Sequence, residues 1–393
     1  MRIHLSLTPI LLLAAWTAVQ APAQPSFNSG STGADGALNL TSGTVNFTAL
    51  SASGNTIYNY TTINIASGVT VVMSAQNLNA PIYWLASGAV TIAGTINLNG
   101  QNGASYGQSE EQRSPAYGGS GGYEGGVGGR IQSTPAIPAQ PGSGPGGGAA
   151  GTTTVGTGIN ATFAGTNIYL VPLVGGSGGG GAYQPSTEII GPGGGGGGGA
   201  ILIASSTSIN ITGTIEANGG SEGITDSVGA GGGSGGAVHL IAPTVNGGGT
   251  VEAYGQDGAA NGAIRIEAGT YPNSLSLTPP YTVASTPNLY LPSSSPGAIT
   301  VVSVNGVSLP ATPTGSFVTP DVSINSTAAV PVVINATNIP VGTPLTLQFF
   351  SDNGTDFTVP AALTGTLAQS TTTVQVTFPP GFTRGYVTAS WLN

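Results

Sequence analysis

Gly213-Thr214-Ile215-Glu216-Ala217-Asn218-Gly219 is one of three copies of the same seven-residue unit. The other copies span 94–100 and 249–255, and glycine bounds each of them at both ends. Repetition of this kind is typical of stacked structural units, each of which buries its apolar face against the next. The repeat therefore predicts the architecture of the chain more directly than its activity.

A second repeated stretch indicates which side chains face the interior. It reads Ala200-Ile201-Leu202-Ile203 in one copy and recurs at 237–240 and 263–266, and Tyr83-Trp84-Leu85 takes the place of 201–203 in the first copy. The flanking positions are apolar in every copy, whereas the middle position varies in chemistry. Because alternate side chains of a strand point to opposite faces, the flanking positions are predicted to point inward and the middle one outward. The outward positions are then Trp84, Leu202, His239 and Arg265 in this stretch, and Asn97, Glu216 and Glu252 in the seven-residue unit.

The clearest copy contains three short strand candidates, 201–203, 209–211 and 214–217, with turns between them. Asn99-Gly100 and Asn218-Gly219 are suited to turns with positive φ. We therefore predict an all-β chain built as a parallel β-helix (β-solenoid) with glycine-rich insertions; a β-sandwich or a jelly roll is the alternative. A small Ig-like β-sandwich is expected at the C-terminus, from strand candidates at 300–304, 330–334, 345–350, 371–377 and 386–391.

The composition changes along the chain and indicates its domain boundaries. Residues 1–23 have the charged start, apolar core and small-residue cleavage site of a secretory signal peptide, so export to the periplasm, cell surface or medium of a bacterium is expected. The β-solenoid is assigned to 24–270, with glycine-rich insertions at 101–199 and 219–236. A Pro/Ser-rich linker follows at 271–298, and the Ig-like domain at 299–393. The glycine-rich stretches fit either a flexible coil, the default for this composition, or an ordered array of extended backbones.

Charge and residue content exclude several classes of function. Only 5% of residues are charged, and a net charge of -9 with five Lys and Arg leaves no basic surface for nucleic acid. No run after the N-terminus reaches the ~20 apolar residues that a membrane-spanning helix needs. The chain has no cysteine and two histidines, which argues against disulfides, thiolate or histidine metal sites and Ser-His-Asp triads. No cofactor is predicted.

Two strings carry a resemblance to a known class of protein. Leu85-Ala86-Ser87-Gly88-Ala89-Val90-Thr91-Ile92-Ala93-Gly94-Thr95-Ile96, and the passage from the glycine run at 193–199 into the strand at 200–203, resemble glycine-rich secreted bacterial β-solenoid proteins. They are also similar to coils of haemagglutinin-type and autotransporter passenger domains. The resemblance covers about residues 60–270 and implies a surface protein. The chain lacks the C-terminal membrane barrel, cell-wall sorting motif and calcium-binding nonapeptide of such proteins, so it implies neither autotransport nor calcium-driven folding.

The candidate chemistry centres on acidic side chains. Glu216 and Glu252 occupy equivalent outward positions, and adjacent strands of this type lie about 4.8 Å apart, close enough for a coupled carboxylate pair. His239 and Arg265 share an outward position and are candidates to join that pair in a patch for an anionic sugar. The competing interpretation of all four is an ordinary solvent-exposed surface of a repeated unit.

Two further clusters of charged residues have a purely structural explanation as the alternative. Glu222 and Asp226 are weak candidates for calcium ligands, because no Asp-x-Asp repeat accompanies them. Glu110, Glu111, Arg113 and Glu124 form the densest group of charges, which is explained by the solubility of a glycine-rich loop. Neither cluster predicts a metal site by itself.

Three functions follow as hypotheses. The first is a non-enzymatic surface or extracellular-matrix protein, adhesin-like or a structural scaffold, whose partners are cell-surface or matrix glycans or proteins. The second is a carbohydrate-active β-helix enzyme, a polysaccharide lyase or hydrolase that uses Glu216 and Glu252. The third is a protein that binds a repeating lattice, glycan or ice, through a row of threonines: Thr95, Thr214 and Thr250.

Overall fold

The computed structural model describes residues 27–105, 114–130, 137–153, 156–165, 168–184, 190–225, 228–279, 281–285, 287–292, 297–310, 320–324, 326–351, 357–379 and 385–391. The predicted signal peptide, Glu110, Glu111, Arg113 and Asp226 lie outside these ranges. Every regular element in the described part of the chain is a β-strand, so the all-β prediction is confirmed at that level. No helix with the length and apolar character needed to cross a membrane occurs among these residues.

The first sheet contains nine parallel strands from the N-terminal two thirds of the chain. They are β1 (Gly36–Leu40), β3 (Ile57–Ile65), β5 (Ile82–Ala86), β6 (Val90–Ile92), β10 (Ala200–Ser205), β11 (Ser208–Ile211), β13 (Ala237–Asn246), β15 (Ala263–Thr270) and β17 (Tyr281–Ala284). The long strands β3 and β13 each pair with two shorter strands end to end, which closes a ring of six parallel strands. The last strand lies inside the stretch predicted to be a linker, so the parallel sheet continues beyond residue 270.

The second sheet is formed by six short parallel strands that alternate in sequence with those of the first. They are β2 (Thr44–Asn46), β4 (Thr70–Val72), β7 (Thr95–Asn97), β12 (Thr214–Glu216), β14 (Thr250–Glu252) and β16 (Ser276–Thr278). The three copies of the seven-residue unit supply β7, β12 and β14, which are neighbours in the sheet. Their central residues Ile96, Ile215 and Val251 are fully buried against inward residues of the first sheet in one hydrophobic core.

The predicted inward positions are correct in three copies and wrong in the first. Ile201 pairs with Ile82, and Ile203 pairs with Trp84, so the first copy is shifted by one residue from the predicted alignment. Trp84 is therefore in the core, while Tyr83 and Leu85 face outward. A shift of one residue moves every side chain of a strand to the other face. The sequence of β5 shows no alternation of polar and apolar residues that would reveal the shift, because all five residues are buried on whichever face they lie.

The glycine-rich segments follow strands of the second sheet along the chain and lead back to the first sheet. Together they form an ordered bundle of extended backbones, called the glycine bundle below. Along 193–199, successive N–H groups donate to three different neighbouring segments, and each neighbour recurs every third residue. Gly193, Gly196 and Gly199 donate to the segment 98–104, Gly194 and Gly197 to 123–126, and Gly195 and Gly198 to 231–234. The order of the acceptors shows that the run is antiparallel to the first two neighbours and parallel to the third.

This pattern identifies the backbone conformation of the bundle. An extended backbone with three residues per turn and no hydrogen bonds within itself has the polyproline II pattern, in which the polar groups point outward. In the run at 193–199 those groups bond to neighbouring segments instead of water. This glycine-rich stretch is therefore an ordered array of extended backbones and not the flexible coil that its composition favours. A short parallel pair within the bundle, β8 (Gly129–Arg130) and β9 (Tyr183–Gln184), is its one regular sheet in the described ranges.

Glycine is required in this bundle by space rather than by turn geometry. A Cβ added at Gly100 or Gly219 would collide with the carbonyl oxygen of Gly196 or Gly233. Neither glycine, nor the asparagine before it, has a positive φ. The prediction of positive-φ turns at Asn99-Gly100 and Asn218-Gly219 is therefore wrong. These residues begin bundle segments, where neighbouring backbones approach too closely for any side chain.

The C-terminal region contains two antiparallel sheets that share a separate hydrophobic core. One sheet is formed by β18 (Ala298–Val304), β19 (Val307–Ser308), β20 (Val330–Thr337), β23 (Thr364–Gly365) and β24 (Ser370–Val376), and the other by β21 (Pro344–Ser351), β22 (Phe357–Ala362) and β25 (Gly385–Trp391). All five strands predicted here overlap observed ones. Strand β22 is not among the predicted strands, although its alternating burial is clear in the structure.

Candidate functional site

The outer face of the second sheet carries a continuous column of hydroxyl side chains. Thr95, Thr214 and Thr250 are register partners, and the column continues to Thr44 and Thr70 on one side and to Ser276 on the other. The four middle threonines are half-buried, whereas the residues at both ends are exposed. Strand spacing places these hydroxyls about 4.8 Å apart along six strands. Thr95, Thr214 and Thr250 therefore lie in one row, which is longer than predicted, although these three side chains are half-buried and not fully exposed.

The two glutamates of the candidate enzyme site are also register partners. Glu216 pairs with Glu252, and Asn97 occupies the same position on the next strand. Each carboxylate already accepts a hydrogen bond from an asparagine: Asn99 Nδ2 donates to Glu216 Oε2 at 2.8 Å, and Asn218 Nδ2 donates to Glu252 Oε2 at 3.2 Å. The backbones of the two residues are one strand spacing apart, about 4.8 Å, which is the adjacency that the candidate carboxylate pair requires.

The asparagines that contact this pair form a ladder along the corner where the second sheet meets the glycine bundle. The Asn218 backbone N–H donates to Asn99 Oδ1 at 2.9 Å, and the Tyr254 N–H donates to Asn218 Oδ1 at 3.0 Å. Tyr254 holds the position equivalent to these asparagines in the third copy, so the ladder ends there. The asparagine side chains replace backbone hydrogen bonds where the chain leaves the sheet. Their role is structural, and they orient the glutamate carboxylates.

His239 and Arg265 do not join the glutamate pair. They lie on β13 and β15 of the first sheet, whereas the pair lies on the second, and the hydrophobic core separates the two sheets. Both side chains point outward as predicted, but they are buried, with exposed fractions of 1% and 6%. A second layer of chain, which includes Leu170 and Leu173, covers this face of the first sheet. The expectation of a solvent-exposed basic patch beside the carboxylates is therefore wrong.

The partner of these two residues is Glu267, which is not among the candidates drawn from the sequence. Arg265 Nε donates to Glu267 Oε1 at 2.6 Å, and His239 Nε2 lies 3.3 Å from the same oxygen. Neither ring nitrogen of His239 makes a hydrogen bond of good geometry. The spacing Arg-x-Glu is a usable signal, because residues two apart in a strand share a face. The cluster holds three ionisable groups in a buried setting.

Burial and mutual contacts set the charge states in this cluster. Burial lowers the pKa of His239 and outweighs the opposing influence of Glu267, so the imidazole is neutral at pH 7. Burial alone would raise the pKa of Glu267, but the contacts with His239 and Arg265 lower it below its ordinary value. At neutral pH the cluster is thus a paired guanidinium and carboxylate beside a neutral imidazole.

Two carboxyl groups of the glycine bundle have raised pKa values. Burial raises the pKa of Glu124 to about 7. The pKa of Glu222 is also raised, mainly by burial and to a smaller extent by the nearby Asp257 carboxylate. The backbone N–H of Glu222 donates to Asp257 Oδ2 at 2.7 Å. Across the described part of the chain, no three His, Cys, Asp or Glu side chains are arranged to hold a metal ion.

Comparisons of this chain with protein-family models, with curated proteins and with solved structures found no match.

Proposed function

We propose that this chain is an exported, non-enzymatic surface or matrix protein that acts by contact, and that the outer face of the second sheet is its contact surface. The hydroxyl column from Thr44 to Ser276 supports this proposal most directly. It presents one chemical group at one spacing over six strands, on a face whose only carboxylates on strands β7, β12 and β14 are Glu216 and Glu252. A repeating, weakly charged, hydrogen-bonding face suits a repeating neutral ligand such as a polysaccharide surface. On this proposal the parallel strands are coils of a β-solenoid, the glycine bundle supplies the third side of the coils that contain β7, β12 and β14, and the C-terminal sheets form an Ig-like adhesive module.

Binding of the chain from Gln24 onward to insoluble glycans and to bacterial cells tests the proposal. The informative variant replaces Thr95, Thr214 and Thr250 by Val, because Val keeps the β-branched shape and removes the hydroxyl. We expect this triple variant to fold normally and to lose binding. The matched control replaces Glu216 and Glu252 by Gln and retains binding. Equal binding by the threonine variant would show that contact is made elsewhere.

A carbohydrate-active enzyme remains the second candidate, because Glu216 and Glu252 are register partners on the outer face of adjacent strands. A reducing-end assay on acidic and neutral polysaccharides addresses it directly. Activity that disappears in the two-Gln variant, while the threonine variant keeps it, would favour the enzyme over the contact protein. Lack of turnover on every polysaccharide that the chain binds would count against catalysis.

Export has its own test. The signal sequence at 1–23 predicts that the full chain, produced in a Gram-negative host, is cleaved near Gln24 and recovered outside the cytoplasm. Retention of an uncleaved chain in the cytoplasm would contradict this part of the proposal.

A further inference from the structure

A short strap crosses the outer face of the first sheet. It comprises residues 168–173, and its side chains Leu170 and Leu173 are 4% and 5% exposed. They pack on outward apolar residues of the sheet, among them Leu202, Ala204 and Ile241. The strap therefore keeps a hydrophobic surface of the sheet out of water.

The strap is held in an unfavourable backbone conformation. Leu170 has a φ of 50°. The left-handed region is unfavourable for a non-glycine residue, so it persists only where surrounding contacts enforce it.

Arg265 holds the strap at the two residues before Leu170. Its Nη1 donates to the carbonyl oxygen of Ile168 at 2.9 Å, and its guanidinium lies 5.0 Å from the ring centroid of Tyr169. The same side chain is fixed by Glu267, whose second oxygen accepts the backbone N–H of Asn288 at 2.7 Å. One ion pair thus holds two separate segments of the covering layer.

His239 is the group that makes this arrangement sensitive to pH. Its ring is buried between Leu202 and Arg265, its register partners on the neighbouring strands. The charged and titratable groups around it are Arg265 and Glu267 from β15, with Tyr169 above Arg265 from the strap. An imidazolium in this position would compete with Arg265 for Glu267 Oε1, which is within reach of both.

We propose that His239, Arg265 and Glu267 form a latch that holds the strap closed at neutral pH and releases it in mild acid. The released form exposes the apolar outer face of the first sheet.

The sign of the effect follows from linkage. The closed state disfavours protonated His239, so opening takes up a proton and becomes more favourable as the pH falls below about 6.5, the ordinary value for histidine. Glu267 has a lowered pKa in the closed state, so its protonation adds to opening only below about pH 4.3. The histidine therefore sets the first transition.

Electron–electron distance measurements between two spin labels test the latch. The chain has no cysteine, so two introduced cysteines carry the labels specifically. The test pair replaces Ile168, whose side chain is 58% exposed, and Thr44, which is exposed on the second sheet. The control pair replaces Thr44 and Ser276, which lie five strand spacings apart, or about 24 Å, in one sheet.

We expect the test distance to broaden and change between about pH 6.5 and 5, while the control distance stays constant. His239→Leu places at this position the residue that its register partner Leu202 already has, and removes the ionisable group. In that variant the transition should shift to below about pH 4.3, where Glu267 is the one remaining latch residue that titrates. A pH-independent test distance in the wild-type chain, or the same transition in His239→Leu, would overturn the latch. A change in the control distance would show general unfolding and would overturn it as well.

Discussion

A single alanine substitution in the glycine run at 193–199 tests whether glycine is required there for close packing or for backbone flexibility. In Gly197→Ala the new Cβ would lie 1.9 Å from the carbonyl oxygen of Gly176, whereas ordinary van der Waals contact begins at 3.4 Å. The obstruction is backbone, so no side-chain rotation relieves it. Separating the segments strains the hydrogen bonds from Gly197 N to Tyr123 O and from Gly176 N to Gly198 O. Overpacking at about 1–3 kcal/mol and two weakened bonds at about 1 kcal/mol each give a loss of roughly 3–5 kcal/mol.

The same run supplies a matched control. A Cβ at Gly193 would meet Ala104 N at 3.4 Å and Gly126 O at 3.6 Å, which is ordinary contact, and its φ is not positive. Gly193→Ala should therefore be neutral, or stabilise by up to about 1 kcal/mol through the lower entropy of the unfolded chain. Urea and thermal unfolding followed by the fluorescence of the buried Trp84, with Trp391 replaced by Phe, would report both. We expect the melting temperature of Gly197→Ala to fall by roughly 10 °C, given about 2–4 °C per kcal/mol for a domain of this size. Equal effects of the two substitutions would refute the packing argument.

Three further substitutions, one of them with a matched control, test the buried Glu124 carboxyl group, the asparagine ladder and the burial of Trp84. Because folding raises the pKa of Glu124 from 4.5 to about 7, its ionisation destabilises the fold increasingly as the pH rises through that interval. The stability of Glu124→Gln relative to wild type should therefore be about 3 kcal/mol greater at pH 8 than at pH 4.5, as measured by urea titrations at both pH values. Asn218→Ala leaves the Tyr254 N–H without its acceptor and should cost about 2 kcal/mol, whereas Asn46→Ala at an exposed edge should change the free energy of unfolding by less than about 0.5 kcal/mol. Trp84→Ala should cost about 3–5 kcal/mol because the side chain is fully buried, and a loss near zero in a urea titration followed by circular dichroism would contradict that burial.

The strands of the repeated unit are predictable because one of their faces is polar. In β12 the half-buried Thr214 and Glu216 flank the buried Ile215, and this alternation is visible in the letters of the sequence. In β5 no such contrast exists, since the inward face meets the core and the outward face meets a covering layer. The one-residue error at Trp84 follows from that loss of contrast.

The buried ion pair is predictable only in part. Arg265 and Glu267 are two residues apart on one strand, so their proximity follows from the sequence. Their burial depends on Ile168 and Asn288, which are 97 and 21 residues away from the atoms they contact. No local pattern encodes a cover of that kind. Residues that vary freely between copies of a repeat, as His239 and Arg265 do, are taken for surface residues unless the cover is known.

Glycine serves two opposite purposes in this chain, and composition alone does not distinguish them. Gly43 and Gly68 have φ values of 81° and 80°, and no atom lies within 4 Å of the position that a Cβ would occupy, so the backbone conformation requires glycine there and space does not. Gly197 has an ordinary φ and no space, so contact requires glycine and conformation does not. A glycine of the first kind allows a turn with positive φ, whereas one of the second kind allows neighbouring backbones to come close enough to form hydrogen bonds. The long run at 193–199 consists of the second kind except at Gly193, and it is therefore a packed element of the fold whose rigidity comes from hydrogen bonds to its neighbours.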